Sequence, residues 1–388
     1  MRELSRQSRD EAFAEMAKAR RIVVKVGSAI LAANGGLADE AFADIARQIS
    51  ELADTGRDVV LVSSGAIAIG NRDLGWDIPG ESIPEKQAAA AVGQIGLTGL
   101  YKQHFARFGR QVAQILLTRS GLEDHERFLN ARHTLGTLLR SGVVPIVNEN
   151  DTVATDEIRF GDNDNLSATV VNLVAADLLI VLTDVDGLYV EPPREGAPEP
   201  RRFEVVDQVT LEIQRAAQGS TSGIGRGGMT TKLEAAQAAA RGGAATVLCN
   251  GRSQNVIARV ANGEAVGTLF RSGNRIASRK HWLAFTTRTR GEVVLDAGAV
   301  RAVEDGGKSL LPAGITAVRG RFGVGEAISC LGPDGREIAR GLSSYSSDDL
   351  ARIAGLATSG IQQMLGYSNG DEVIHRDDLV VLRDETTP

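Results

Sequence analysis

The chain has 388 residues, of which 43% are hydrophobic and only 4% aromatic, enough apolar material for a sizeable core and long enough for two domains. The net charge of −6 argues against a general attraction to nucleic acid or acidic membranes. From residue 271 onward 15 basic residues balance 15 acidic ones, so the C-terminal part is not a basic module either.

The N-terminus, MRELSRQSRDEAFAEMAKAR, is charged and has no apolar segment typical of a secretory signal, so it predicts a short amphipathic helix. No run of about 18 apolar residues occurs, and we therefore expect a soluble, cytoplasmic protein. Cys249 and Cys330 lie in apolar, strand-like runs and predict inert buried thiols. The sequence contains no CxxC motif and no His/Cys cluster, so we expect no structural zinc site.

Up to about residue 270, β-branched apolar runs alternate with segments of helical period. Strands are predicted at residues 21–26, 58–62, 111–117, 143–147, 178–182 and 245–249. Helices are predicted at residues 39–53, 84–101 and 230–241. This alternation predicts an α/β fold in which helices cover both faces of a mostly parallel sheet.

The pattern of predicted elements changes after residue 270. A polar stretch at residues 271–285 predicts a linker, and the short strand-like runs at 291–295, 314–318, 327–330 and 337–339 predict a small β-rich domain. We expect an N-terminal extension at 1–20, the main domain at 21–270, the linker, the small domain at 286–381 and a tail at 382–388. Residues 192–200 predict a surface loop.

Polar and glycine-rich segments follow several predicted strands, where parallel sheets collect their ligands. They are Lys25-Val-Gly27-Ser28, Ser63-Ser64-Gly65-Ala66, Asn148-Glu149-Asn150-Asp151 and Thr183-Asp184-Val-Asp186-Gly187. The polar segment Gly161-Asp162-Asn163-Asp164-Asn165 lies between the last two. A further glycine-rich segment, residues 223–232, precedes a helix and ends in Lys232. Glycines let backbone N–H groups approach phosphate, a helix N-terminus favours anions, and lysines neutralise a phosphoryl group.

Each segment alone has a simpler structural explanation. Gly-Ser after a strand is usually a turn, and Asn165 or Ser167 could merely cap a helix. Gly223, Gly225 and Gly228 fit the dinucleotide pattern GxGxxG, but no strand precedes them. Gly307-Lys308-Ser309 resembles the end of a P-loop, but Ala302 replaces the required earlier glycine. The hypothesis of a phosphate-handling α/β enzyme therefore depends on the segments taken together.

The stretches VVKVGS, SSGAIA, ERFLNARHTL, VPIVNENDTVA, GDNDNLSA, LTDVDGLY, GGMTTKLEAA and HRDD resemble the bacterial glutamate 5-kinase branch of the amino-acid kinase family. The resemblance covers about residues 21–378. It implies a three-layer α/β/α sandwich followed by a small β-rich PUA domain. It also implies transfer of the γ-phosphoryl group of ATP to the γ-carboxylate of L-glutamate, the first step of proline biosynthesis.

The resemblance implies particular roles for residues that match the motifs. Lys25 and Lys232 would be catalytic, with Asp164 orienting them. The substrate-binding set it implies is Ser64, Gly65, Asp151, Asn163 and Asp162. The ATP-binding set it implies is Lys25, Thr183, Asp184, Arg226, Gly227, Gly228, Met229, Thr230, Thr231 and Lys232. Mg²⁺ would come with the ATP phosphates and not from a protein site.

Two departures from the family stand out. About 20 residues precede the first strand, and Arg226 occupies a position where we expect a small hydroxyl residue, with solvent as the favoured direction for its guanidinium. The resemblance further implies a homodimer or homotetramer, inhibition by proline, and handover of a labile acyl phosphate to glutamate-5-semialdehyde dehydrogenase.

A carboxylate acceptor needs no general base, because the glutamate side chain has a reference pKa near 4.3. This agrees with the sequence, in which all five histidines lie outside the candidate loops and are interpreted as structural. Two alternatives stay open. One is a kinase of acetylglutamate, aspartate or carbamate. The other is an RNA-binding protein acting through the PUA domain, which the balanced charge of that region disfavours.

Overall fold

The computed structural model describes residues 6–33, 36–76, 80, 82–118, 121–122, 125–154, 163–191, 200–219, 228–272, 289–304 and 307–382. The chain forms two compact units, Met1–Leu122 with Thr134–Arg275, and Glu123–His133 with Ile276–Pro388. Of the predicted surface loop and linker, only residues 200, 271 and 272 belong to the described part. The predicted domain limits stay a prediction.

Strands and helices alternate along the first unit, as the sequence predicts. The strands, in chain order, are β1 Arg21–Val26, β2 Ala32–Ala33, β3 Gly36–Leu37, β4 Asp58–Ser63, β5 Val112–Leu117, β6 Val144–Glu149, β7 Leu178–Thr183, β8 Val205–Val206, β9 Ala245–Asn250 and β10 Thr268–Phe270. The helices up to this point of the chain are α1 Arg6–Ala14, α2 Ser28–Leu31, α3 Asp39–Asp54, α4 Ala66–Asp73, α5 Ile83–Ala106, α6 His125–Arg140, α7 Asn163–Val174, α8 Leu211–Gly219, α9 Met229–Arg241 and α10 Val256–Ala261.

The main sheet has the strand order β5-β6-β4-β1-β7-β9-β10-β8. The six strands from β5 to β9 run parallel, whereas β10 pairs antiparallel with β9. Ile22, Val24 and Val26 of β1 pack in one core with Phe42 of α3. Alternate residues point to the opposite face, where α7 contacts β1, β4 and β7. Helices therefore cover both faces, and the predicted sandwich is confirmed.

Because β1, β4, β6 and β7 are parallel, their carboxyl ends meet at one edge of the sheet. The segments that follow them are the polar ones identified in the sequence. Most strands extend one or two residues further toward this edge than predicted, so that Ser63, Glu149 and Thr183 are still part of the ladders. The observed strand order thus brings the candidate loops into one region of the first unit.

The observed helix boundaries agree with the predicted ones in some places and differ in others. Helix α5 begins at Ile83 because Ser82 forms a capping box with Glu85, and it runs past the predicted end at residue 101. The suggested helix caps at Asn165 and Ser167 are wrong, since α7 already begins at Asn163 and both residues lie inside it. The antiparallel strand β10 was not predicted, because its three residues carry too little pattern.

The second unit contains a five-stranded sheet in the order β12-β11-β13-β14-β15. Its strands are β11 Gly291–Leu295, β12 Ile315–Gly320, β13 Ala327–Leu331, β14 Glu337–Leu342 and β15 Leu379–Val381, and its short helices are α11 Ala297–Glu304, α12 Ser347–Ile353 and α13 Ile361–Leu365. The predicted β-rich module is confirmed. Lys308 is exposed and is followed by a short 3-10 helix at Pro312–Gly314, so the P-loop resemblance has no structural counterpart.

Both cysteines are buried in strands, Cys249 in β9 and Cys330 in β13, as the sequence predicts. Burial raises the pKa of each thiol to about 12, so neither is a ready nucleophile. Among the helices in the described part of the chain, none is both long enough and apolar enough to cross a membrane.

Candidate active site

Two lysines converge on one buried carboxylate in the first unit. Lys25 Nζ lies 2.6 Å from Asp164 Oδ1, and Lys232 Nζ lies 3.2 Å from Asp164 Oδ2. The side chain of Asp164 is 1% exposed, and those of Lys25 and Lys232 are 6% and 9% exposed. Two positive charges thus share one negative charge, which leaves an excess positive charge in a region that excludes most water.

Each member of this group comes from a different element. Lys25 is on β1 and points to the face of the sheet that α7 covers, opposite to Val24 and Val26. Asp164 lies in the first turn of α7, where the helix dipole also favours a carboxylate. Lys232 lies in the first turns of α9, which packs against α7. The group therefore forms only when β1, α7 and α9 are assembled.

The charges at this site shift one another's protonation. Burial alone would raise the pKa of Asp164, but Lys25, Lys232 and the Thr231 hydroxyl outweigh burial and lower the pKa to about 2. Burial lowers the pKa of Lys232, as does the charge of Lys25, while Asp164 opposes both effects. The carboxylate is therefore ionised throughout the physiological range and holds both ammonium groups in place.

The N-terminus of α9 lies next to Asp164. Thr231 Oγ1 is 2.7 Å from Asp164 Oδ2 and 2.8 Å from the carbonyl oxygen of Gly228. Gly228 is the N-cap residue and has no side chain that could cap this helix. The first N–H groups of this 13-residue helix are therefore suited to bind an anion beside Lys232. Met229 is buried and Thr230 is exposed at the same helix start.

The end of β7 supplies two more of the predicted residues. Thr183 is the last residue of β7 and is 7% exposed, and its Oγ1 donates to Asp184 Oδ1 at 3.1 Å. Asp184 itself is exposed and follows the strand at the carboxyl edge of the sheet. The negative charge of Asp184 also acts on Lys232, where it partly opposes the lowering of the pKa by burial. These residues therefore lie on the side of the site where α9 begins.

A second group of predicted residues follows β4 and begins α7. Asn163 Nδ2 donates to Ser64 Oγ at 2.8 Å, so these two residues are in direct contact. Gly65 adopts φ +115°, a left-handed conformation that a residue with a side chain rarely takes, and it is the N-cap residue of α4. Asp151 is half-buried just after β6. Because Asn163 and Asp164 are neighbours in α7, Asn163 and its partner Ser64 adjoin the two lysines.

Three predicted residues, Asp162, Arg226 and Gly227, lie outside the described part of the chain. Two residues that contact the site were not assigned a role from the sequence. Asn148 Oδ1 accepts from Asn163 Nδ2 at 2.9 Å, and Gln94 Oε1 of α5 accepts from Asn148 Nδ2 at 2.8 Å. One feature of the sequence does single out Gln94: it is the only carboxamide among the apolar and small residues of the stretch AAAAVGQIGL.

Among the residues that the structure describes, no group of three or more His, Cys, Asp or Glu side chains could hold a metal ion. The described part of the site offers cationic side chains, a helix N-terminus, hydroxyls and carboxamides. Such a set binds an anion such as a phosphate and, beside it, a small polar molecule.

Comparison with known proteins agrees with this geometry. Residues 20–250 match the model of the amino acid kinase family, which spans more than half of the chain. The chain belongs to the amino acid kinase family. Residues 291–365 match the PUA domain, in agreement with the five-stranded sheet of the second unit.

Individual relatives are similar along nearly the whole chain. The glutamate 5-kinase of Geobacter sulfurreducens is 50% identical over 369 residues, which cover 95% of this chain and 99% of that protein. The glutamate 5-kinase of Ralstonia nicotianae is 53% identical over 369 residues, covering 95% and 98%. The glutamate 5-kinase of Cupriavidus pinatubonensis is 52% identical over 372 residues, covering 95% and 99%.

Proposed function

We propose that this protein is an ATP-dependent kinase that transfers the γ-phosphoryl group of ATP to the γ-carboxylate of L-glutamate. The observation that carries the proposal is the buried group of Lys25, Asp164 and Lys232 at the carboxyl edge of a parallel sheet. The chain's membership of the amino acid kinase family and its similarity to glutamate 5-kinases over 95% of its length support the choice of reaction.

The two lysines address the main obstacle to this reaction. A carboxylate and a triphosphate repel each other, so catalysis requires positive charge at the phosphoryl group and alignment of the two reactants. Asp164 holds both ammonium groups within 3.2 Å of its oxygens, which fixes their positions before substrate binds. The N-terminus of α9 adds backbone N–H donors that need no reorganisation.

The neighbouring polar group fits the amino acid. Ser64 Oγ accepts from Asn163, so the Ser64 hydroxyl hydrogen can be donated to a substrate carboxylate. Asp151 offers a carboxylate for the α-ammonium group, and Gly65 brings the backbone close. We assign Ser64, Gly65, Asp151 and Asn163 to glutamate, and Asp162 by its place in the same sequence motif. Thr183, Asp184 and residues 226–232 are assigned to ATP.

The proposed reaction requires no general base. The γ-carboxylate is ionised at neutral pH, so it can attack without losing a proton. His104 is fully buried, and its Nε2 lies 2.9 Å from Asp39 Oδ1 at the start of α3. We therefore assign His104 a structural role and no catalytic one. Mg²⁺ would bind together with the ATP phosphates and would neutralise further negative charge on them.

Further parts of the proposal concern regulation and context. Proline would compete with glutamate at the amino-acid site, the chain would act in the cytoplasm as a homodimer or homotetramer, and the acyl phosphate would pass to glutamate-5-semialdehyde dehydrogenase. These parts rest on similarity to the glutamate 5-kinases.

The test is turnover of ATP with a set of acids, with hydroxylamine trapping the acyl phosphate as a hydroxamate. We expect glutamate to give hydroxamate, and acetylglutamate, aspartate and carbamate to give little ADP. Addition of proline should raise the apparent KM for glutamate and not for ATP. Efficient turnover of acetylglutamate or aspartate, without turnover of glutamate, would contradict the proposed substrate.

A further inference from the structure

A continuous relay of carboxamides extends from the proposed glutamate site into helix α5. Asn163 Nδ2 donates to Asn148 Oδ1 at 2.9 Å, and Asn148 Nδ2 donates to Gln94 Oε1 at 2.8 Å. Asn148, Gln94 and Asn163 are 2%, 7% and 8% exposed. Burial makes each of these hydrogen bonds costly to lose, because water cannot readily replace the missing partner.

The relay continues past Gln94 to the surface. Gln94 Nε2 donates to Thr98 Oγ1 at 3.2 Å, and the Thr98 hydroxyl donates to Gln114 Oε1 of β5 at 2.8 Å. Every member thus donates in the same direction. Turning a single carboxamide over would place two NH2 groups, or two oxygens, opposite each other. The orientation of Asn163 is therefore tied to the orientations of Asn148 and Gln94.

The relay leaves one atom unsatisfied at its end. Asn163 Nδ2 uses its two hydrogens on Ser64 Oγ and Asn148 Oδ1. Asn163 Oδ1 is buried and has no hydrogen-bond partner within the described part of the chain. An unpaired buried oxygen of this kind needs a donor. The α-ammonium group of an amino acid is such a donor, whereas a carboxylate is not.

We propose that Gln94 is a positioning residue of the amino-acid site, which acts through Asn148 to hold Asn163 with its oxygen turned toward the α-ammonium group of the substrate. This inference rests on the proposed function, because it takes glutamate as the ligand. It predicts that Gln94, which lies on a different element from every substrate-binding residue assigned above, sets the preference for a ligand that carries an ammonium group.

The test compares two variants of Gln94 with two matched ligands. Gln94→Met removes both the acceptor and the donor at similar volume. Gln94→Glu keeps an oxygen that accepts from Asn148, and the Thr98 hydroxyl can turn to donate to its other oxygen. The ligands are glutamate and glutarate, which is glutamate without its amino group. Their binding is measured without ATP, by the shift in melting temperature with ligand concentration, and the KM values for glutamate and ATP are measured in parallel.

We expect Gln94→Met to raise the KM for glutamate by roughly tenfold, the equivalent of one lost hydrogen bond, and to leave the KM for ATP within about twofold. The preference for glutamate over glutarate should fall by a similar factor in Gln94→Met and remain within about threefold of the wild-type value in Gln94→Glu. A purely structural role would weaken both ligands equally and would not distinguish Met from Glu.

Ser82→Ala is the control for damage to α5, since it removes the N-cap of the same helix without touching the relay. It should lower the melting temperature and leave the ligand preference unchanged. Equal loss of glutamate and glutarate binding in Gln94→Met, or an unchanged preference, would overturn the inference. Wild-type protein that neither binds nor phosphorylates glutamate would instead overturn the proposed function, so the two failures are distinct.

Discussion

Gly93 of α5 lies directly against the carbonyl oxygen of Ala66 in the first turn of α4, so closely that a Cβ on Gly93 would be 1.9 Å from that oxygen. A matching contact exists further along, where a Cβ on Gly70 would be 1.7 Å from the carbonyl oxygen of Ala89. The two helices therefore approach each other backbone to backbone. Because α4 begins directly after Ser64 and Gly65, this packing also fixes the end of β4 at the site.

We predict that Gly93→Ala lowers the free energy of unfolding by about 1–3 kcal/mol, since the new methyl group meets backbone that must shift. Gly99→Ala is the matched control on the same helix, because a Cβ there has nothing within 4 Å. It should raise the free energy of unfolding by up to about 1 kcal/mol through helix propensity alone. Urea unfolding measures both values, and equal stability of the two variants would refute the close packing.

Removal of either lysine should mainly affect turnover. We predict that Lys25→Ala and Lys232→Ala each lower kcat by about 10²–10³, the usual cost of losing one group that stabilises developing charge. Lys308→Ala is the control, since Lys308 is exposed and belongs to the rejected P-loop resemblance. Its kcat should equal that of the wild type. Near wild-type kcat in both active-site variants would remove these lysines from the mechanism.

Replacement of Asp151 should affect one substrate only. Asp151 is half-buried and follows β6, which pairs with β4, the strand that leads to Ser64. We predict that Asp151→Ala raises the KM for glutamate by about tenfold or more, since a charge-assisted hydrogen bond is lost, and leaves the KM for ATP nearly unchanged. Initial rates over a grid of both substrates separate the two constants. An unchanged KM for glutamate would refute the role.

The sequence was most informative where local chemistry decides the structure. The buried strands and the polar segments after β1, β4, β6 and β7 all follow from composition and alternation over a few residues. The position of α7 was less accessible, because the Asn163–Asn165 run suits both a cap and a first helical turn. The partnership of Gln94 with Asn148 was beyond reach, since it joins residues 54 apart through the packing of α5 on the sheet edge. Long-range contacts of this kind depend on topology and leave no local pattern.

Asp164 should also be the most important charged residue for stability. Its carboxylate contacts Lys25 and Lys232, and without it two ammonium groups would face each other in a buried site. We predict that Asp164→Asn lowers the free energy of unfolding by about 3–5 kcal/mol, as expected when one partner of a buried ion pair is removed. Asp184→Asn, at an exposed position, should change it by less than about 0.5 kcal/mol. Similar losses in both variants would contradict the assigned importance of burial.

The same carboxylate predicts a specific dependence of stability on pH. The pKa of Asp164 is lowered from the ordinary 3.8 to about 2 in the folded protein, despite burial, because the two lysines favour the charged form. A group whose pKa is lower in the folded state than in the unfolded state stabilises the fold above the unfolded pKa. That contribution is then lost as the pH falls through the folded pKa. The window for Asp164 therefore lies between about pH 4 and pH 2.

Other carboxylates, including Glu337 and Asp349, also have lowered pKa values, so the acid sensitivity of the whole protein does not isolate Asp164. The informative quantity is the difference in unfolding free energy between wild type and Asp164→Asn. We expect this difference to be constant above about pH 5 and to shrink by about 2 kcal/mol toward pH 2, because the variant has no proton to bind at this position. Urea unfolding at several pH values measures it. A difference that stays constant down to pH 2 would mean that the lysines do not hold Asp164 ionised.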